Sequence, residues 1–461
     1  MINKYIKFIL KLELTPKWWY PVRFILHWIS LPIKLIVIGS LGVFQIINQT
    51  LRFSNRVIAS RLNDEQKRGI IRRVFTKLPI VRNMNEELYV NRVPYYQKPN
   101  GYNQNIDHQC SRHSTYTFLM SRIGKRNEAQ ETAVLKHING ETLYRGYNWA
   151  EDVNMDTVSG DMLCGLNLAM LDAVSSTKPG VINQGTTGDA LKDAFDELVC
   201  GIIKNDYALL ENPNKAPEAP SPENEAYNEE LQRVKHRPKI KSARGMWQPG
   251  LETVGAQAIT VLAAVRVADK KCGSLTPARE YSKLLYRYGY GLLSLFPTAF
   301  IQHKRGYFND HNCMIGLYVL AKLADSKLGK LFWTLPMVYV FLLSYRYRNG
   351  YFTGLLLDVA PWLSGVLSYH KQQCEDYLFE SDNVIMYSRE GGIEIPQAQE
   401  LPVPFNEMNQ SEFHPDQDQK HFTNNPGDVN MIRTDNYHSG LGWMAHMVML
   451  NKELVRDALN E

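Results

Sequence analysis

Carboxylates and histidines recur at one kind of place in this chain, where a polar, glycine-containing stretch gives way to an apolar run rich in Ala, Leu and Gly. Asp161 stands in Ser159-Gly-Asp-Met-Leu-Cys-Gly-Leu, Glu252 in Pro249-Gly-Leu-Glu-Thr-Val-Gly-Ala, and Asp310 and His311 in Asn309-Asp-His-Asn-Cys-Met-Ile-Gly. Phe352-Thr-Gly-Leu-Leu-Leu-Asp358 and Tyr437-His438-Ser-Gly-Leu-Gly-Trp443-Met-Ala-His446 repeat the pattern. A helix start offers free N–H groups and the positive end of a dipole, so it holds polar and anionic groups in place. Carboxylates converging there can include one with a raised pKa and one that stays ionised, and glycoside hydrolysis needs that acid–base pair. Asp152 and Asp156 are alternates, and Tyr147, Trp149 and Trp247 can stack on sugar faces. The same acids have a plainer use, because Asp near a helix start is an ordinary cap and Glu in the first turn compensates the dipole.

The histidines open a second chemistry. Abstraction of the proton alpha to a uronate carboxylate takes a Tyr or His base and an Asn or Arg to neutralise the acid. His108, Arg112, His113, His311, Asn312, Tyr437 and His438 can supply those parts, and Asp310-His311 is the best-placed pair. Asp310, His311 and Cys313 would form a mixed metal set, but no second ligand pair accompanies them. Asp416, Asp418, Asn424 and Asp428 lack EF-hand spacing. No metal and no cofactor is therefore expected. The chain has no P-loop, no GxGxxG after a strand, no GxSxG and no HExxH, which removes the commonest nucleotide, esterase and metalloprotease readings.

The runs that follow these motifs are apolar nearly all round, which requires burial on both sides. Amphipathic stretches separate them: Ala190 to Lys204, Ala226 to Val234, Pro277 to Leu295 and Leu328 to Tyr347. Inner helices alternating with outer ones predict a mainly all-α fold, an (α/α) toroid of helical hairpins. A small β-hairpin is expected at Asn383 to Tyr387 and Gly392 to Ile395, followed by a long polar segment suited to a lid. Earlier in the chain, Leu51 to about Lys77 reads as one helix.

The loop-to-helix motifs resemble the six-hairpin glycosidase superfamily, the (α/α)6 toroids of many glycoside hydrolases and polysaccharide lyases. The resemblance covers residues 100–461 and lies in Trp149…Ser159-Gly-Asp161-Met-Leu, the Gly-Leu-Glu252 start and the Asn309-Asp310-His311 start. It implies a cleft lined by the N-terminal ends of inner helices. Asp161, Glu252, Asp310 and His311 would be catalytic there. Tyr147, Trp149, Trp247, His108, Tyr437 and His438 would bind a polysaccharide or glycoconjugate. A non-enzymatic membrane-associated scaffold and a terpenoid- or lipid-modifying enzyme are the alternatives on the same architecture.

Residues 1–56 form a separate basic and apolar segment ahead of the helical domain at 57–461. Residues 1–80 carry seven Lys and seven Arg against one Asp and two Glu, net +11, so the rest of the chain holds −6 of the overall +5. Interleaved apolar residues and the Trp18-Trp19-Tyr20 cluster favour an anionic membrane surface as partner over nucleic acid. The cleanest apolar part, Leu35 to Ile47, falls short of the roughly 20 residues needed to span a bilayer. An interfacial anchor, a tilted span and a helix packed on the protein's own body all remain open, and a cleavable signal peptide is not expected. The six cysteines form no CxxC pair and read as buried, reduced thiols.

Overall fold

The computed structural model describes residues 20–53, 62–75, 110–144, 146–148, 153–155, 160–173, 187–204, 254–273, 275–287, 307–344, 350–379 and 441–461. These residues are mostly helical. Two helices come first, α1 (Tyr20–Phe53) and α2 (Asp64–Phe75). The expected single helix across residues 51–77 is broken, because Leu62 and Asn63 are non-helical. Asn63 starts α2 instead: its side chain accepts from the Gln66 N–H, and the Gln66 side chain accepts from the Asn63 N–H. That reciprocal pair is a capping box.

Then follow α3 (Cys110–Arg122) and α4 (Glu128–Leu135), the latter opened by the same reciprocal bonds between Asn127 and Gln130. Two short antiparallel ribbons come next. β1 (Ile138–Asn139) pairs with β2 (Thr142–Leu143), and β3 (Gly146–Asn148) pairs with β4 (Val153–Met155). The hairpin expected at residues 383–395 lies outside the described residues, as do the polar segment after it and the stretch Ala226 to Val234. Beyond the ribbons lie α5 (Gly160–Leu171), α6 (Thr187–Lys204), α7 (Val254–Val267) and α8 (Leu275–Ser282). A π-helical turn, Ala268–Cys272, ends α7, and another, Lys283–Arg287, ends α8. The chain continues through α9 (Tyr307–Lys322), α10 (Lys327–Ser344), α11 (Gly350–Val359), α12 (Ser364–Leu378), α13 (Leu441–Leu450) and α14 (Lys452–Asn460).

The odd-numbered helices from α3 to α13 are buried over most of their length, although α3 is rich in Ser and Thr. Every residue is buried from Met162 to Leu171, Ile259 to Ala268, His311 to Ala321, Gly350 to Leu356 and Met444 to Leu450. Apart from α10, which is buried nearly all round from Phe332 to Leu342, the even-numbered helices bury one stripe. In α6 that stripe is Leu191, Phe195, Leu198, Val199 and Ile202, the spacing of a single helical face. α3 packs on α5, α5 on α7, α7 on α9, α9 on α11, α11 on α13, and α13 back on α3. α4, α8, α10, α12 and α14 each pack on the odd-numbered helix before them, while α6 lies against α4 and α8. α2 packs on α14, and α1 lies along α10 and the turn at Lys283–Arg287.

Glycine sets the closest approaches. A Cβ on Gly165 of α5 would lie 2.8 Å from the Ser111 Cα of α3. One on Gly316 of α9 would lie 2.7 Å from the Ile259 side chain of α7, and one on Gly354 of α11 would run into the Met449 carbonyl of α13. The small residues noted in the sequence thus join the buried helices pairwise.

The buried helices also run the same way. Toward the starts of α3, α5 and α9, Ser111 meets Gly165 and the Cys164 thiol faces the Asn312 carbonyl at 3.7 Å, and Gly350 at the start of α11 faces His446 and Leu450 in the later half of α13. Late in the helices, Arg122 of α3, Tyr318 and Lys322 of α9, and Asp358 of α11 share one network. Arg122 pairs with Asp358, the Tyr318 hydroxyl donates to Asp358 at 2.8 Å, and Lys322 lies 3.2 Å from it. Burial alone would raise the Asp358 carboxyl, but Arg122 and Lys322 outweigh it and hold the group below its ordinary value. Arg126 donates to the Ala169 carbonyl at 2.7 Å, and Arg266 donates twice to the Leu323 carbonyl, at 3.1 and 2.9 Å. Cations on terminal carbonyls are the expected complement of helix C-termini.

Gly354→Ala should destabilise the chain by about 1–3 kcal/mol, because the added methyl forces apart two buried backbones. Gly69 in α2 has nothing within 4 Å of the same position. Gly69→Ala should be neutral or stabilising by roughly 0.5–1 kcal/mol. Urea unfolding of the two variants beside the parent chain checks the contrast.

Candidate functional site

With the C-terminal ends tied off by arginines, the opposite end of the buried helices has a different character. Its first turns carry polar side chains, Ser111 and Ser114 on α3, Cys164 on α5, His311 and Asn312 on α9, and Tyr351 and Thr353 on α11, with His446 from the middle of α13 beside Gly350; Asn167 and Thr260 are buried further along α5 and α7. The His311 ring stacks on Tyr351, centroids 6.2 Å apart and planes 23° from parallel. The Asn167 amide donates to the Thr260 carbonyl at 3.0 Å, and Cys110 and Ser114 approach to 3.7 Å.

Burial dictates the protonation states in this layer. It pushes the His311 and His446 imidazoles down from 6.5 to about 3, so both are neutral at physiological pH. It lifts the Tyr351 phenol well above its ordinary value, with Cys164 adding to the effect, so the hydroxyl keeps its proton. The Cys110 thiol is pushed up to about 12 against the opposing bond from Ser114, which makes it inert. Among the described residues the six cysteines are all unbridged, four of them buried. The layer therefore offers neutral imidazoles, a phenolic donor and amides, groups that accept and donate hydrogen bonds without bringing net charge into the bundle.

The backbones of Asp161, the second residue of α5, and Asp310, the fourth residue of α9, lie at this same end. Both sit within their helices, so neither is the N-cap that the plainer reading gave it. Of the four residues assigned to catalysis, His311 is the one whose side chain is described, and it belongs to the buried layer. Tyr147 lies in β3, its backbone paired with Asn154 of β4. Glu252 precedes α7 by two positions, His108 precedes α3 by two, and Tyr437 and His438 stand shortly before α13. These four, with Trp149, Asp152, Asp156 and Trp247, lie outside the described residues.

The sequence reading did not nominate Tyr351, Cys164, Asn167 or His446. The available signal was a polar residue in the first two turns of a run that is otherwise apolar all round. Of the alternate histidines, His113 is buried on α3 with its Nδ1 2.8 Å from the His137 Nε2, next to a Thr117 hydroxyl that donates to the His113 carbonyl. That arrangement ties α3 to the segment after α4. Among the described residues no group of His, Cys, Asp and Glu is placed to hold a metal ion. Comparison with known proteins finds no matching family model, no matching curated protein and no matching solved structure.

Stability should carry the mark of these neutral histidines. An imidazole that titrates near 6.5 unfolded and about 3 folded binds a proton only in the unfolded chain between those values, so stability falls as pH drops through that window. His446→Leu should remove about 2 kcal/mol of the loss seen between pH 7 and pH 5. Chemical denaturation at the two pH values checks this, and parallel curves for parent and variant would show that His446 already titrates in the fold.

Proposed function

We propose that the buried helices form an (α/α)6 toroid and that its N-terminal end is the active site of a carbohydrate-active enzyme of the glycoside hydrolase or polysaccharide lyase type. The observation that carries this reading is the asymmetry of the bundle. One end of the parallel inner helices is closed by Arg122, Arg126 and Arg266 on carboxylates and terminal carbonyls. The other end has a buried polar layer, with the backbones of Asp161 and Asp310 on its rim. The connections also divide unequally. The chain takes only residues 323–326 from α9 to α10 and residue 451 from α13 to α14 at the closed end. In sequence, residues 205–253 separate α6 from α7 and residues 379–440 separate α12 from α13, against residues 345–349 between α10 and α11. Long connections on a rigid scaffold are where binding residues concentrate.

In the hydrolase form, Asp161, Glu252 and Asp310 supply the acid and the base, and Tyr147, Trp149, Trp247, His108, Tyr437 and His438 hold the sugar. In the lyase form, neutral His311 with the protonated Tyr351 phenol beside it provides base and proton donor. A terpenoid-modifying site would call for an apolar lining, and the polar layer argues against it. The scaffold reading predicts no turnover at all.

Asp161→Asn, Glu252→Gln and Asp310→Asn should each lower turnover of a polysaccharide found by screening by at least about 100-fold, with unfolding temperatures close to the parent's. Full activity in all three variants would move the chemistry away from the carboxylates. Loss on His311→Gln alone would then select the lyase form.

A further inference from the structure

α1 is built inside out. Between Phe24 and Ile38 its polar residues face the protein: His27, Ser30 and Lys34 are each at most 3% exposed. The Lys34 ammonium lies 3.3 Å from the centre of the Phe332 ring, and His27 stacks on the same ring at 4.0 Å. The side turned to the outside is apolar. Ile25, Ile29, Ile33 and Ile36 are 54, 51, 48 and 69% exposed and recur at intervals of three and four, with Phe24 and Leu35 beside them. A helix facing water on its outer side has the reverse arrangement, so this face is shaped for an apolar medium.

Its occupant must suit the ends of the stripe as well as its middle. Lys4, Lys7, Lys11, Lys17 and Arg23 precede it, with Trp18, Trp19 and Tyr20 adjoining, and Arg52, Arg56 and Arg61 follow it. An apolar stripe with basic and aromatic residues around it suits the interface of an anionic membrane, where the isoleucines enter the acyl boundary and the charges stay with the headgroups. α1 lies lengthwise on α10, with His27 at Phe332 and Gly42 at Leu342, and no single described helix is long and apolar enough to span.

We propose that the outer face of α1 seats the protein on an anionic membrane with the helix in the plane of the interface, immersed along one side only. The bundle then rests on the lipid by its flank. This goes beyond the reading of the polar end and stands without it, since it uses none of those residues.

The test is flotation of the full chain with vesicles of phosphatidylcholine, alone and mixed with phosphatidylglycerol. The parent should bind the mixed vesicles. Ile29→Glu combined with Ile33→Glu, both on the exposed face, should weaken binding by at least about tenfold with an unchanged unfolding temperature. Undiminished binding by that variant, or complete release of the parent by about 0.5 M salt, would mean that the basic residues alone carry the contact and would overturn the proposal. So would a parent that ignores vesicles and forms a dimer that the variant cannot form. Spin labels at Ile25→Cys, Ile29→Cys, Ile33→Cys and Ile36→Cys, with Cys200 and Cys272 changed to Ser, should report equal depth. Depth that increases steadily along the series would indicate a span and would equally overturn it.

Discussion

A helix buried on every side has no place at a surface, and this chain contains several of them among its described residues. Everything else in the fold follows from having to cover them. Packed side by side they bury one another laterally, but each still needs an outer partner, and the amphipathic even-numbered helices serve as that cover. The close glycine contacts at Gly165, Gly316 and Gly354 let the buried helices approach near enough to leave little space between backbones. Burying whole helices also buries their ends, and the ends are polar. At the C-termini the free carbonyls face Arg126 and Arg266, whose side chains reach them directly. At the N-termini the chain places His, Asn, Tyr, Ser and Cys side chains in the same shell, and burial keeps the ionisable ones neutral.

Neutrality is a condition of this layer's stability. A charged group there would be costly without a partner, whereas a neutral imidazole stacked on a phenol is tolerated. The backbones of Asp161 and Asp310 lie in the first turns of α5 and α9, where a helix dipole favours an ionised carboxylate.

The all-α class and the alternation of buried and amphipathic helices could be read in the sequence because they depend on local periodicity and on small residues at fixed spacing. Three features could not. The break between α1 and α2 depends on the Asn63–Gln66 cap, which periodicity smooths over. The ribbons at residues 138–155 consist of strands of two or three residues, too short for alternation to register. The roles of Tyr351 and His446 come from helices far apart in sequence, and in isolation each reads as core filler. The orientation of α1 could not be read either: its composition suggests a membrane surface, and only its packing shows that the polar residues turn inward and the isoleucines outward.

The most direct test of the central claim is the distance between the Asp161, Glu252 and Asp310 carboxylates in a crystal structure of the full chain with an oligosaccharide. Two of them within about 10 Å of each other, on either side of a bound glycosidic bond and above His311 and Tyr351, is the result this account predicts. Carboxylates scattered by more than about 15 Å, or sugar bound nowhere near the N-terminal layer, would contradict it.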